Sequence, residues 1–418
     1  MSRSSSLVHV ATPEPALQPL AGEGAVNDPL TAALRLLSYC RNADWAGHDP
    51  YDALNSPVLA ALPFLNRTYV RLAFVQALKR SPIDVRRFAR IPKTQNPKAL
   101  ALFVSALLRL PPRAVFGRQA LLSALLQRLI ALRSPDPHWC WGYSFPWQTR
   151  TTLIPRGAAN LVCTTFVASA LLDAYEVTRD ERWLAMAVDA AEYVATRLYW
   201  QDGDAAGFSY PTPSQRTPIH NANFLGAALL SRVHRLTGLP QLTAPALQVT
   251  RYSSSRQRGD GSWAYGEAST SGWIDNFHTG YNLCALRAIG HDLRTDEFEP
   301  HVRRGFDFFV RHFIRDDGAA RYFHDRTYPI DIHSVAQTII TLIELQDLDP
   351  AAASRAQTVF RWAMAHMWDA RGFFYYRVQR IGTIRTSYMR WSQAWMLAAI
   401  ARLISSNAHA HAALKGRL

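Results

Sequence analysis

Asp275 and His278 stand three positions apart in Trp273-Ile274-Asp275-Asn276-Phe277-His278-Thr279-Gly280-Tyr281. At the start of a helix they share a face, and Tyr281 continues it one turn deeper. Ile330-Asp331-Ile332-His333-Ser334 repeats the arrangement 56 positions later. Two carboxylates at one depth on neighbouring helices is the geometry that glycosidic chemistry uses for an acid and a base, which makes Asp275 and Asp331 catalytic candidates. Each Asp also suits an N-cap, where orphan amides and the helix dipole favour it, so both roles stay open. What favours a site is the company. Asp, Asn, His and Tyr crowd positions that packing alone would make apolar. The dipole also disfavours a protonated His at a helix N-terminus, and a neutral imidazole suits a general base. In elimination or epimerisation His278 or Tyr281 would remove a proton beside a sugar carboxylate. Asn221, Asn223 or Asn276 would polarise that carboxylate. A structural, hydrogen-bonded His at the same place is the competing reading.

Binding groups accompany these. Trp139-Cys140-Trp141-Gly142-Tyr143-Ser144-Phe145-Pro146-Trp147 alternates aromatics at period two, so it is extended with rings on one face. Trp141 and Tyr143, with Trp263, Tyr265 and Trp273, are candidates to stack on sugar faces, or to fasten loops to the body. Arg150 and Arg390 would supply bidentate donors for a carboxylate or phosphate, and His333 a further polar contact. His220, His278 and His333 occupy different registers, and no H-E-x-x-H spacing occurs, so no metal site is predicted. With no phosphate loop, dinucleotide fingerprint or G-x-S-x-G elbow, no cofactor is expected.

The elements that must position these residues repeat. A turn, an aromatic pair and a polar cluster recur about every 55 to 57 residues: Gly207-Phe208-Ser209-Tyr210, Gly261 to Tyr265, Gly318 to Tyr322 and Gly372 to Tyr376. Between these cassettes, helices that are apolar all round (Asn160 to Tyr175, Asn223 to Leu236, Thr279 to Ile289, Val335 to Leu345) alternate with half-exposed amphipathic ones. Such repeats bury their apolar faces against their neighbours. The expected fold is all-α: an α/α toroid of six or seven helical hairpins, an inner ring wrapped by an outer one. Every polar cluster then opens an inner helix at the same end of the barrel.

The chain of 418 residues, 48% hydrophobic, is expected to form one domain over residues 29–418 behind a disordered tail over 1–28. The net charge of +14 comes mainly from scattered arginines; Lys79, Lys93, Lys98 and Lys415 are the only lysines. That favours an anionic substrate, or a peripheral membrane contact, over nucleic acid, for which no motif is present. Cys40, Cys140, Cys163 and Cys284 lack C-x-x-C spacing and read as buried thiols. A cytoplasmic setting is the expectation.

Gln257-Arg258-Gly259-Asp260-Gly261-Ser262-Trp263 resembles the repeated Q-x-x-D-G-S-W element of triterpene cyclases, which are themselves α/α toroids. Their acidic D-x-D-D box is absent, so this resemblance supports fold more than isoprenoid chemistry. Trp141 to Ser144, Asp260 to Tyr265, Trp273 to Tyr281 and Tyr328 to Gln337 together resemble the six-hairpin glycosidase-like superfamily. Within it, they resemble proteins of bacterial exopolysaccharide biosynthesis clusters, of the vibrio polysaccharide J type. The resemblance implies an oligosaccharide or polysaccharide substrate, and work beside the polysaccharide machinery. It implies no particular reaction; the site residues themselves suggest a glycoside hydrolase, lyase or uronate epimerase, with an isoprenoid-handling toroid enzyme or a non-catalytic sugar-binding or scaffold subunit as the alternatives.

Overall fold

The computed structural model describes residues 28–62, 67–149, 152–216 and 218–415. The expected N-terminal tail lies outside them except for Asp28, which caps the first helix. Among the described residues the helices are α1 (Pro29–Asn42), α2 (Pro57–Ala60), α3 (Thr68–Arg80), α4 (Pro97–Arg109), α5 (Arg118–Ala131), α6 (Leu161–Thr178), α7 (Glu181–Tyr193), α8 (His220–Thr237), α9 (Thr243–Ser255), α10 (Asn276–Leu293), α11 (Glu299–Phe313), α12 (Ile332–Glu344), α13 (Ala352–Met367) and α14 (Trp395–Lys415). Strands are short pairs in the connections, such as Tyr199–Asp202 against Ala205–Phe208.

Six inner helices, α4, α6, α8, α10, α12 and α14, each pack on the next, and α14 packs back on α4 to close the ring. Outside them α5, α7, α9, α11 and α13 lie against the inner helix that precedes each in the chain, while α1 covers α14. The result is an α/α toroid of six hairpins. Helix α3 belongs to neither ring; with the segment around Ala53 it forms a small satellite core of Ala53, Val75, Leu78 and Ile91.

Sequence dictates which ring a helix joins. In α11, Val302, Phe306, Phe309 and Phe313 fall on one buried stripe while Arg303, Arg304, Asp307 and Arg311 face water. Each buried Phe contributes about 1.5–3 kcal/mol. In α12 the residues from Ile332 to Ile343 are all buried, as an inner helix touched on every side requires. Helix α6 is long and apolar enough to cross a membrane by composition, and its place in the inner ring accounts for that composition.

The cassette glycine joins hairpins. Gly261 has φ +92°, and a Cβ there would meet the Arg304 carbonyl of α11 at 2.3 Å, so the turn presses directly on the next outer helix. Gly372, at φ +93°, does the same against Arg35 of α1 at 3.0 Å, which stitches the last repeat to the first helix. Each cap segment then bridges to the following cassette: Ile219 with Gly266, Asp275 with Phe323, Asp331 with Arg377. These bridges hold the inner-helix N-termini at one end. Ion pairs gather at the opposite end: part-buried Asp173 accepts from Arg109 and Arg232, and the more exposed Glu344 accepts from Arg402.

Candidate active site

The inner-helix N-termini surround a cavity of about 270 Å³. Its wall follows a register. The residue two positions beyond the N-cap of α4, α6, α8, α10 and α12 is Lys98, Val162, Asn221, Phe277 and His333, and all five line it. One turn deeper, Phe166 and Tyr281 meet Trp395, with ring centroids 5.3 Å (Phe166–Trp395), 5.4 Å (Tyr281–Trp395) and 5.9 Å (Phe166–Tyr281) apart. Tyr281 lines both this cavity and a second one of about 260 Å³ among the C-terminal halves of the inner helices, whose wall also includes Phe166 and Trp395.

Asp275 caps α10: its Oδ1 accepts the His278 backbone N–H at 3.0 Å. Its Oδ2 accepts from His278 Nδ1 at 2.8 Å and from Trp273 Nε1 at 3.0 Å. The carboxylate is almost wholly enclosed, so it serves the imidazole beside it. With Nδ1 donating to Asp275, the tautomer leaves His278 Nε2 with a lone pair for the cavity. A second pair sits alongside, Tyr281 Oη lying 2.5 Å from His333 Nε2. Burial, reinforced by the positive charges of Lys98 and Arg390, pushes His333 well below the usual imidazole range, and burial pushes the Tyr281 phenol well above its own. Both are therefore neutral near pH 7, and the phenol keeps its proton. Phe277 separates the imidazoles, its centroid 4.1 Å from His278 and 4.6 Å from His333.

Aromatic rings make the remaining wall. Tyr143 and Phe145 stack at 5.5 Å with Trp147 edge-on, which agrees with the period-two alternation, and Tyr265 stacks on Trp273 at 4.5 Å. Tyr210 and Tyr322 also line the cavity, and Tyr376 is buried at the same end beneath Arg377. Asn221 faces the cavity with its Oδ1 unpartnered. Arg390 is present, but its guanidinium is held bidentately by Asp49 at 2.7 and 2.8 Å.

Several expected residues lie elsewhere. Asp331 is completely buried: Arg377 bonds one oxygen at 2.7 and 3.0 Å, and Trp391 Nε1 and the His333 N–H bond the other at 2.8 and 2.9 Å. It is a structural cap outside the cavity, which corrects its reading as an acid or base and with it the paired-carboxylate geometry. Trp141 and Trp263 are core residues, their indole N–H groups donating to the Leu129 and Ser253 carbonyls. Asn223 ties the Phe208 amide to Ser253, and Asn276 bonds Thr338. These four were expected to touch substrate, and instead they satisfy buried polar groups around the helix starts. Arg150 falls outside the described residues. Among the described residues no cluster of His, Cys, Asp and Glu is arranged to hold a metal.

Lys98 was missed. Only its register in α4, equivalent to Phe277 and His333, signals it, and the weak repeat pattern before residue 135 hides that register. Tyr51, also in the lining, lies in the same weakly repeating part of the chain, and Trp391 lies on a π-turn, Met389–Ala394, at the start of the last inner helix.

No protein-family model and no curated protein sequence matches the chain. Solved structures do. A cellobiose 2-epimerase from Bacillus thermoamylovorans superposes with TM-score 0.58 at 11% identity, over 76% of this chain and 90% of its own. An unsaturated glucuronyl hydrolase from Streptococcus agalactiae gives 0.56 at 11% identity, over 90% of each chain. A GH76 α-mannanase from Bacteroides thetaiotaomicron gives 0.56 at 12%, over 75% of this chain and 87% of its own. The chain thus shares the α/α toroid fold of these solved structures.

Proposed function

We propose that this protein is a carbohydrate-active enzyme that works by imidazole acid–base chemistry at a C–H bond, as in epimerisation or elimination. The observation that carries the proposal is the Asp275–His278 pair, one nitrogen of the imidazole fixed by a buried carboxylate and the other left to an aromatic-walled cavity. His278 Nε2 takes a proton from the carbon next to a carbonyl or carboxylate, and the electron pair passes into that group as an enediolate. Tyr281, hydrogen-bonded to His333, returns a proton to the carbon in epimerisation or to the leaving oxygen in elimination. Hydrolysis by two carboxylates is disfavoured, because among the described residues Asp275 is the only acidic one lining the cavity and its oxygens already accept three hydrogen bonds.

Carbohydrate as the substrate class is supported by the stacked aromatic walls and by the sugar-acting enzymes that share the fold. Exopolysaccharide or its lipid-linked precursor as the material handled, peripheral contact with that machinery and a cytoplasmic setting belong to the proposal on sequence resemblance. Purified protein incubated with candidate oligosaccharides tests it, with epimers, unsaturated uronates and new reducing ends read together. Epimers or unsaturated products support the reading. Reducing ends alone return the chain to the hydrolases, and binding without turnover makes it a sugar-binding subunit.

A further inference from the structure

Among the described residues that line the cavity, Lys98 is the one lysine or arginine with no carboxylate partner. Its side chain is 3% exposed, and its Nζ sits over the Phe166 ring at 4.0 Å, 5.2 Å from the Trp395 centroid and 5.4 Å from that of Tyr281. It therefore lines the first cavity and lies against rings that line the second. The nearby carboxylates are engaged elsewhere: Asp49 by Arg390, and Asp275 by His278 and Trp273. Aromatic faces soften the burial of an ammonium without neutralising it.

Two further polar atoms beside it are buried without partners. Trp395 Nε1 belongs to a ring that Lys98 overlies, and His333 Nδ1 to an imidazole stacked on that ring at 4.5 Å. A buried donor without a protein acceptor calls for a partner, and a water or a ligand can supply it. The free charge here is single, since the neighbouring guanidinium already has its carboxylate. A flat, singly charged group fits that charge and the aromatic surroundings; a phosphate dianion would call for more cations.

We infer that Lys98 anchors the carboxylate of a uronic acid residue and stabilises the charge that accumulates on it when the adjacent C–H proton is removed. The inference rests on the acid–base reading above and names its substrate class. Burial and the charge of Arg390 both press the Lys98 ammonium towards its neutral form, and an incoming carboxylate reverses that pressure.

Calorimetric titration of the full chain tests it, with sodium D-glucuronate, D-galacturonate and D-mannuronate, their uncharged methyl esters, and inorganic phosphate as probes. At least one uronate is expected to bind, its ester at least tenfold more weakly, with phosphate unable to displace it. Lys98→Met should weaken the uronate at least tenfold and Lys98→Arg less. Equal affinity for acid and ester, wild-type affinity in Lys98→Met, displacement by phosphate, or no uronate binding by the wild type would overturn the inference. Should Lys98→Met fail to fold, the comparison of acid with ester on the wild type still decides. His278→Gln should keep uronate affinity, which separates the two proposals. Lys98-dependent binding with no turnover would remove only the enzyme reading, and His278-dependent turnover of a neutral sugar, unchanged in Lys98→Met, would remove only this one.

Discussion

Asp275 accepts both the backbone N–H and the ring Nδ1 of His278, at 3.0 and 2.8 Å, so a single carboxylate starts the helix and fixes the tautomer of its base. Capping and catalysis compete as readings of the sequence, and in the proposed mechanism one geometry serves both.

Asp275→Asn follows from that relationship. Asn caps about as well as Asp, so the unfolding midpoint should stay close to wild type. The amide cannot balance an imidazolium, and turnover should fall on the order of a hundredfold or more. Activity measured beside thermal unfolding checks both halves.

Asp331→Ala should behave in the opposite way. It leaves Arg377 buried and uncompensated, a loss of about 3–5 kcal/mol, to be read from urea unfolding. Turnover per folded molecule should fall far less than in Asp275→Asn.

Stability should decline in mild acid. Burial lowers His220 to about 4, below the usual imidazole value of 6.5. Between those values the unfolded chain binds more protons than the native one, so stability is intact above pH 6.5 and is lost as the pH falls towards 4. The shift corresponds to roughly 3 kcal/mol. Unfolding free energies measured across that window should flatten in His220→Gln, whose lower plateau reflects the lost contact with Ser253.

Trp273, 40% exposed and stacked on Tyr265 at the cavity rim, offers a free ring face to a sugar. Trp273→Ala should raise KM about tenfold, near 1.4 kcal/mol, with a smaller change in kcat.

The fold was legible because the repeat is a physical requirement: Gly261 and Gly372 recur where a turn meets a neighbouring helix, and apolar-all-round segments such as α12 can only be inner. The same repetition put His278, Tyr281, Tyr265, Trp273 and His333 at the mouth, and all five line the cavity. It misled at Asp331, Trp263 and Asn223, since alignment places a residue at a depth and does not say which way its side chain turns. Asp331 faces Arg377, a residue in the next cassette, 46 positions on, that no local spacing pairs with it. Lys98 went unseen for the reverse reason, a correct register in a repeat too divergent to count.

Exchange of carbon-bound hydrogen with solvent tests the central claim most directly. Wild-type protein is incubated in D2O with uronate-containing oligosaccharides, and the products are followed by proton NMR. The account predicts deuterium at the carbon bearing the carboxylate in epimers, or loss of that carbon's proton in unsaturated products, and neither with His278→Gln. New reducing ends without exchange, or exchange that persists in a well-folded His278→Gln protein, would contradict it.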